Sequence, residues 1–182
     1  MHAQFDRKMN EMNMFIIPFI GLKEGKHQFE YQIDKKFFEA FQYDEFNDVD
    51  VKVELFFVKK PTLLELEFQF NGTVNIFCDI SCELYNQPIS DKFKLIVKFG
   101  DEYNDERDDI LVIPHTEFQI NIAQYIYESI ILSVPSKRVH PNVINGSLKS
   151  EVIEKLKELE IKEIKIENID PRWDKLKDLK KT

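Results

Sequence analysis

The chain has 182 residues, 43% of them hydrophobic and 32% charged, with a formal net charge of −8. This length supports one ordinary domain or two small ones, and the balance of apolar and charged residues excludes wholesale disorder. No apolar run approaches the roughly 20 residues that a membrane-spanning helix needs, and a net acidic chain argues against non-specific binding to nucleic acid.

The net figure hides a division near Pro135. Residues 1–134 carry 13 basic and 24 acidic side chains, a balance of −11, while residues 135–182 carry 12 basic and 9 acidic, a balance of +3. Such asymmetry marks an acidic body followed by a basic tail. The two cysteines, Cys78 and Cys82, do not form a secretory disulfide framework, so a reducing cytoplasm is the expected compartment. Sixteen Phe stand against one Trp, and most of these rings, having no polar atom to satisfy, are expected in the core.

Residues 1–13 mix charges of both signs without a signal-peptide hydrophobic region and are expected as a disordered extension. MFIIPFIG (residues 14–21) is predicted as a first strand, with Pro18 marking an edge or a bend. In KHQFEYQID, Phe29, Tyr31 and Ile33 alternate with polar residues at strand period, and Asp34 is placed to cap a short helix, KKFFEAFQ. Val51, Val53 and Leu55 alternate in the next strand.

LLELEFQF and TVNIFCDI flank Asn71-Gly72, which predicts a β-hairpin because both turn residues tolerate positive φ. Asn86-Gln87-Pro88 predicts a further turn before FKLIVKFG, and DEYNDERDD (residues 101–109) an exposed acidic loop. ILVIP reads as a short buried strand. Asn121 is expected to cap a helix running to about Ser133, with Ile122, Ile126 and Ile130 on one face, and Pro135 to end it. Residues 135–147 read as a loop. LKSEVIEKLKELE and, after a charged linker, PRWDKLKDL read as helices. The expected fold is α+β, a mainly antiparallel sheet of about six strands with a few packed helices. Its body spans residues 14–147 and a helical, charged C-terminal tail spans 148–182.

No catalytic or cofactor motif is present. Cys78 and Cys82 lack the second ligand pair of a structural zinc site and read as two ordinary thiols, so no metal is expected. There is no nucleophile elbow and no phosphate-cradling glycine loop. Charge carries the remaining candidates. Asp101, Glu102, Asp105, Glu106, Asp108 and Asp109 could grip a basic protein, or simply solvate a turn. Lys137, Arg138, His140, Lys149, Arg172 and Lys175 could neutralise phosphates, and Trp173 could stack on a base or anchor the tail to the body.

The stretch INIAQYIYESIILSVPSKRVH resembles the signature of the YceD family: Ile120 with polar Asn121, an amphipathic helix, Glu128, the run Ile130-Ile131-Leu132, Pro135 and a downstream His140. A strand reaching Cys78, with Pro88 ten residues on, resembles that family's Cys-containing segment. The opening FIIPFIGLKEGKHQFEYQID and the tail DPRWDKLKDL look like its Bacteroidota branch. The resemblance implies a factor for accumulation of large-subunit ribosomal RNA in ribosome biogenesis, with no known catalytic activity and no cofactor. Its partners would be ribosomal RNA or a pre-ribosomal particle and ribosomal or assembly proteins.

Two departures limit what carries over. Ser81 stands where many relatives have the second Cys of Cys-x-x-Cys, so no zinc or thiol role is transferred. Asn121 stands where Asp is common, so no carboxylate role is transferred either. A protein-binding adaptor without RNA contact, and a hydrolase or nuclease using carboxylates or a Cys/His pair, stay open as rivals.

Overall fold

The computed structural model describes residues 12–147 together with Glu154, Lys155, Glu158 and Leu159. Period-two alternation builds most of it. β2 (Gly25–Asp34), β3 (Asp48–Lys59), β4 (Leu63–Phe77) and β5 (Leu84–Gly100) form consecutive antiparallel pairs, and β6 (Asn104–Arg107) and β7 (Ile110–Pro114) complete a six-stranded sheet in the order β2-β3-β4-β5-β7-β6. The β5–β7 pair is parallel, because the chain crosses past β7 to make the edge strand β6 before returning. A two-stranded ribbon joins β1 (Ile16–Ile17) to β8 (Ile120–Asn121). The helices are α1 (Lys35–Ala40), α2 (Ala123–Ser133) and α3 (Pro141–Ile144).

One face of the sheet is dry. Val51, Val53, Leu55 and Phe57 of β3 and Leu64, Leu66, Phe68, Phe70, Val74 and Ile76 of β4 are fully buried. Ile122, Ile126 and Ile130 of the α2 segment belong to the same core. Fully burying each such side chain contributes roughly 1.5–3 kcal/mol. The expected cap of α1 is present: Asp34 Oδ1 accepts from the Phe37 amide at 3.3 Å. Its aromatic face feeds a ring cluster in which Phe38 lies 4.9 Å from Phe46 and 5.7 Å from Tyr127 of α2, and Phe41 stacks on Tyr127 at 4.3 Å. Lys59 Nζ donates to the Phe19 and Leu22 carbonyls at 2.9 Å, tying the 3-10 turn Phe19–Gly21 to β3.

Several expectations are corrected. Asn71-Gly72 is not a turn: β4 runs straight through it, with Gly72 opposite Val51 on one side and Ile89 on the other. A two-residue turn there would set Val74 opposite Gln69 and Ile76 opposite Glu67, placing apolar residues on the polar face. Continuous alternation keeps Phe68, Phe70, Val74 and Ile76 on the buried face. Gly72 is required for close approach rather than for left-handed backbone. A Cβ there would run into the Asp50 carbonyl and meet the Val51 Cα at 2.6 Å.

Asn86-Gln87-Pro88 also lies within a strand, where Asn75 Nδ2 donates to Asn86 Oδ1 at 2.6 Å. Pro88 is tolerated because β7 pairs with β5 only from Ile96 to Gly100, leaving that side of Pro88 without a strand partner. The predicted first strand shrinks to Ile16–Ile17 followed by the 3-10 turn, and Met12 packs half-buried against the core. The acidic loop contains β6, and the loop after Pro135 contains α3. Residues 1–11 and nearly all of the predicted tail lie outside the described residues. Within that tail Glu154, Lys155, Glu158 and Leu159 are helical and exposed.

Gly72→Ala is expected to cost about 1–3 kcal/mol by forcing two backbones apart. Gly21→Ala, where an added Cβ meets nothing within 4 Å, should change stability by less than about 0.5 kcal/mol. Urea unfolding of the two variants checks the contrast.

Candidate functional site at the Cys78 junction and the acidic groove

The chain turns between β4 and β5 at residues 78–83, closed by Cys78 N donating to Glu83 O (2.9 Å) and Cys82 N to Cys78 O (3.0 Å). Cys82 adopts φ 57°, the left-handed region, and is exposed, whereas Cys78 is 1% exposed. The predicted strand therefore ends at Phe77, before both cysteines.

Cys78 is a meeting point. Its Sγ accepts from the backbone amides of Ile80 and Ser81 at 3.4 Å and of His140 at 3.3 Å. Asp79 N donates to Arg138 O, and Arg138 N to Asp79 Oδ2, both at 2.7 Å. The Arg138 guanidinium reaches Glu45 at 3.3 Å and Asp79 at 3.7 Å. Segments about sixty positions apart in sequence are thus stitched together.

Burial pushes the Cys78 thiol up. Hydrogen bonds from the His140 amide, the Ser81 hydroxyl and amide, and the Ile80 amide together outweigh it, and the group sits below its ordinary value. The amides favour thiolate, but the contact from His140 is through its backbone. Its ring Nδ1 accepts from Asn142 N at 3.0 Å, capping α3, and the ring packs 5.3 Å from Tyr85. Through Nδ1, then, the imidazole serves α3 and not the thiol as a base.

The predicted basic cluster is only partly available. Arg138 is held by two carboxylates, His140 is half-buried in the junction, and Lys137 is exposed on the rim of a shallow depression of about 550 Å³ with Ile80, Pro135, Val139 and Ile144. Lys149, Arg172, Trp173 and Lys175 lie outside the described residues. The outward face of β5 carries a further cationic signal, since Lys92, Lys94 and Lys98 are exposed on one parity of the strand, with Ile96 between the last two, opposite Gln69, Glu67 and Leu63. The pattern is legible in DKFKLIVKFG, where Lys92, Lys94 and Lys98 share one parity.

At the other end of β5 an open groove of about 880 Å³ runs between α2 and the β6–β7 edge. Phe93, Leu111 and Ile120 line it, along with Asp105 and Asp108 from the predicted acidic stretch. Asp101, Glu102, Glu106 and Asp109 are exposed elsewhere on that stretch, with Asp109 3.7 Å from Arg107. Tyr103 joins them from the same stretch, while Glu117, Glu128 and Tyr125 join the groove from positions that sequence spacing does not connect to it. Tyr125 is pushed up to about 12 by burial and then by Tyr103, Asp105 and Glu128.

A six-stranded, mostly antiparallel sheet with three helices makes this an α+β protein whose two notable surface features are a buried-thiol junction and an acidic groove. The family model of the large ribosomal RNA subunit accumulation protein YceD matches residues 66–180, and the chain belongs to that family. Membership implies a role in accumulation of large-subunit ribosomal RNA, and the family is not a known enzyme family. Neither a curated protein nor a solved structure matches the chain. Among the described residues no helix is long and apolar enough to cross a membrane.

Two outcomes are expected of the junction. A small alkylating agent should label Cys82 first and Cys78 only on unfolding, as read by mass spectrometry. Because the fold depresses the Cys78 value, its contribution to stability is lost as pH falls through the folded value and grows toward the unfolded value of roughly 8.5. The stability gap between wild type and Cys78→Ser, from urea unfolding, should therefore widen from about pH 7 to about pH 9.

Proposed function

We propose that the protein supports accumulation of large-subunit ribosomal RNA by binding, without catalysis or cofactor, in the cytoplasm. Its partners are ribosomal RNA or a pre-ribosomal particle, together with ribosomal or assembly proteins. The reading is supported by the family and by the separation of charge. The acidic groove at one end of β5 suits a basic protein, while Lys137 and the tail residues Lys149, Arg172, Trp173 and Lys175 suit phosphate and bases.

The observation that carries it is the groove, an apolar-floored concavity edged by carboxylates from β6 and α2. Arg138 drops out of the phosphate-facing set because Glu45 and Asp79 already neutralise it, and the lysine row of β5 is a candidate to replace it. The body (residues 14–147) and the tail (148–182) divide this labour.

Cross-linking in growing cells tests the proposal: ribosomal RNA or ribosomal proteins are expected among the products, and recovery of neither overturns it. Ending the chain at residue 147 should remove most RNA contact and leave the melting transition in place. Lys137→Ala alone should weaken RNA binding only about threefold, as expected for one phosphate contact near physiological salt. Filter binding on both variants measures the difference.

A further inference from the structure

We propose that the groove between α2 and the β6–β7 edge is the docking site for an extended, arginine-rich segment of a partner protein. The inference rests on the binding role proposed above and names the chemistry of its protein partner.

Charge comes first. Among the described residues, Asp105, Asp108, Glu117 and Glu128 line the groove against a single cation, Arg107, which is already 3.7 Å from Asp109. The four carboxylates come from three separate stretches of chain, so the fold concentrates negative potential over a low-dielectric floor, where it attracts cations most strongly. Tyr125 is consistent with that placement: burial chiefly, then Tyr103, and after it Asp105 and Glu128 hold its hydroxyl near 12.

The groove carboxylates are separate from one another rather than gathered on one point. Among the described residues no three His, Cys, Asp or Glu side chains converge to hold a metal ion. Separate anions around a groove with apolar lining fit several cationic side chains of one extended chain better than a single bound ion.

The aromatic residues select arginine. Tyr103 is 59% exposed on the groove wall, and its hydroxyl bonds Asp105 Oδ2 at 3.3 Å. A carboxylate is thus held at the edge of an open ring face. A planar guanidinium can lie on that face while its N–H fork meets a carboxylate, which an ammonium cannot do. Tyr125 also lines the groove, stacked 6.2 Å from Phe93. Leu132, 81% exposed, ends the α2 wall and offers apolar contact for the stems of long side chains.

Strand addition to β6 is the weaker mode. All four residues of β6 are exposed, and its Glu106 amide is taken by Asn104 Oδ1 at 3.0 Å, which blunts the edge as a template. The segment is therefore seated by side chains in the groove.

The test uses the full chain and a fluorescein-labelled peptide alternating arginine and glycine, with a lysine–glycine counterpart, followed by anisotropy. The variant Asp105→Asn/Asp108→Asn/Glu128→Gln should weaken arginine-peptide binding by about tenfold or more near physiological salt. A control of equal charge, Glu24→Gln/Asp44→Asn/Glu83→Gln, should change it by less than about twofold, since exposed distant charges are screened. All six positions are exposed, and unchanged melting confirms that both variants fold. Tyr103→Ala should erase the preference for the arginine peptide over the lysine peptide. Equal losses in the two triple variants, or no preference for arginine in the wild type, overturn the proposal. The same variants are cross-linked in cells. If groove and control variants recover ribosomal proteins alike, the groove assignment fails and the binding role stands. If wild type recovers no ribosomal component, the binding role fails.

Discussion

The uninterrupted alternation of β4 is the constraint on which the rest of the structure depends. From Leu64 to Ile76 every second residue except Gly72 puts a full apolar side chain on the buried face, and Gly72 lets β3 approach where a side chain would collide. Because β4 is central, its phase sets β3 on one side and β5 on the other over nearly their whole lengths. The long hairpin then carries its turn out to residues 78–83, and the open end of β5 out to the groove. Had the chain turned at Asn71, neither surface feature would exist in this form.

The turn created at that distance becomes the second organising contact. Three amides converge on one buried sulfur, and a main-chain pair with a guanidinium clamp fixes Asp79 to Arg138. Breaking such a set leaves several partly buried amides without an acceptor, at roughly 1–3 kcal/mol each. Its consequence for function is indirect: the segment after Pro135 is held to the body, and Arg138 is spent on structure. The positive balance of residues 135–182 is therefore a poor guide to which cations face a partner.

Much was legible in the residues. The Asp34 cap, the inward isoleucines of the α2 segment, the helix end before Pro135 and the six-strand α+β class follow from local periodicity and capping chemistry, which act within one turn or one strand. The Asn-Gly pair has turn propensity, but the phase of the flanking residues overrides it. Phe68 and Phe70 lie on the same parity as Val74 and Ile76, and that parity excludes a two-residue turn. The lysine row of β5 was equally readable, since outward residues of a strand whose inward residues are known follow at once.

By itself, then, the sequence determined the element types, the buried face of each long strand, the acidic and basic division and the family, because each depends on patterns within a few residues or on residue order. Only the tertiary structure decided that Cys78 meets His140, that Arg138 is neutralised by Glu45 and Asp79, and that Glu117 and Glu128 join Asp105 and Asp108 around one groove. These are contacts between segments far apart in the chain. They are fixed by strand register and helix packing, which no local pattern encodes.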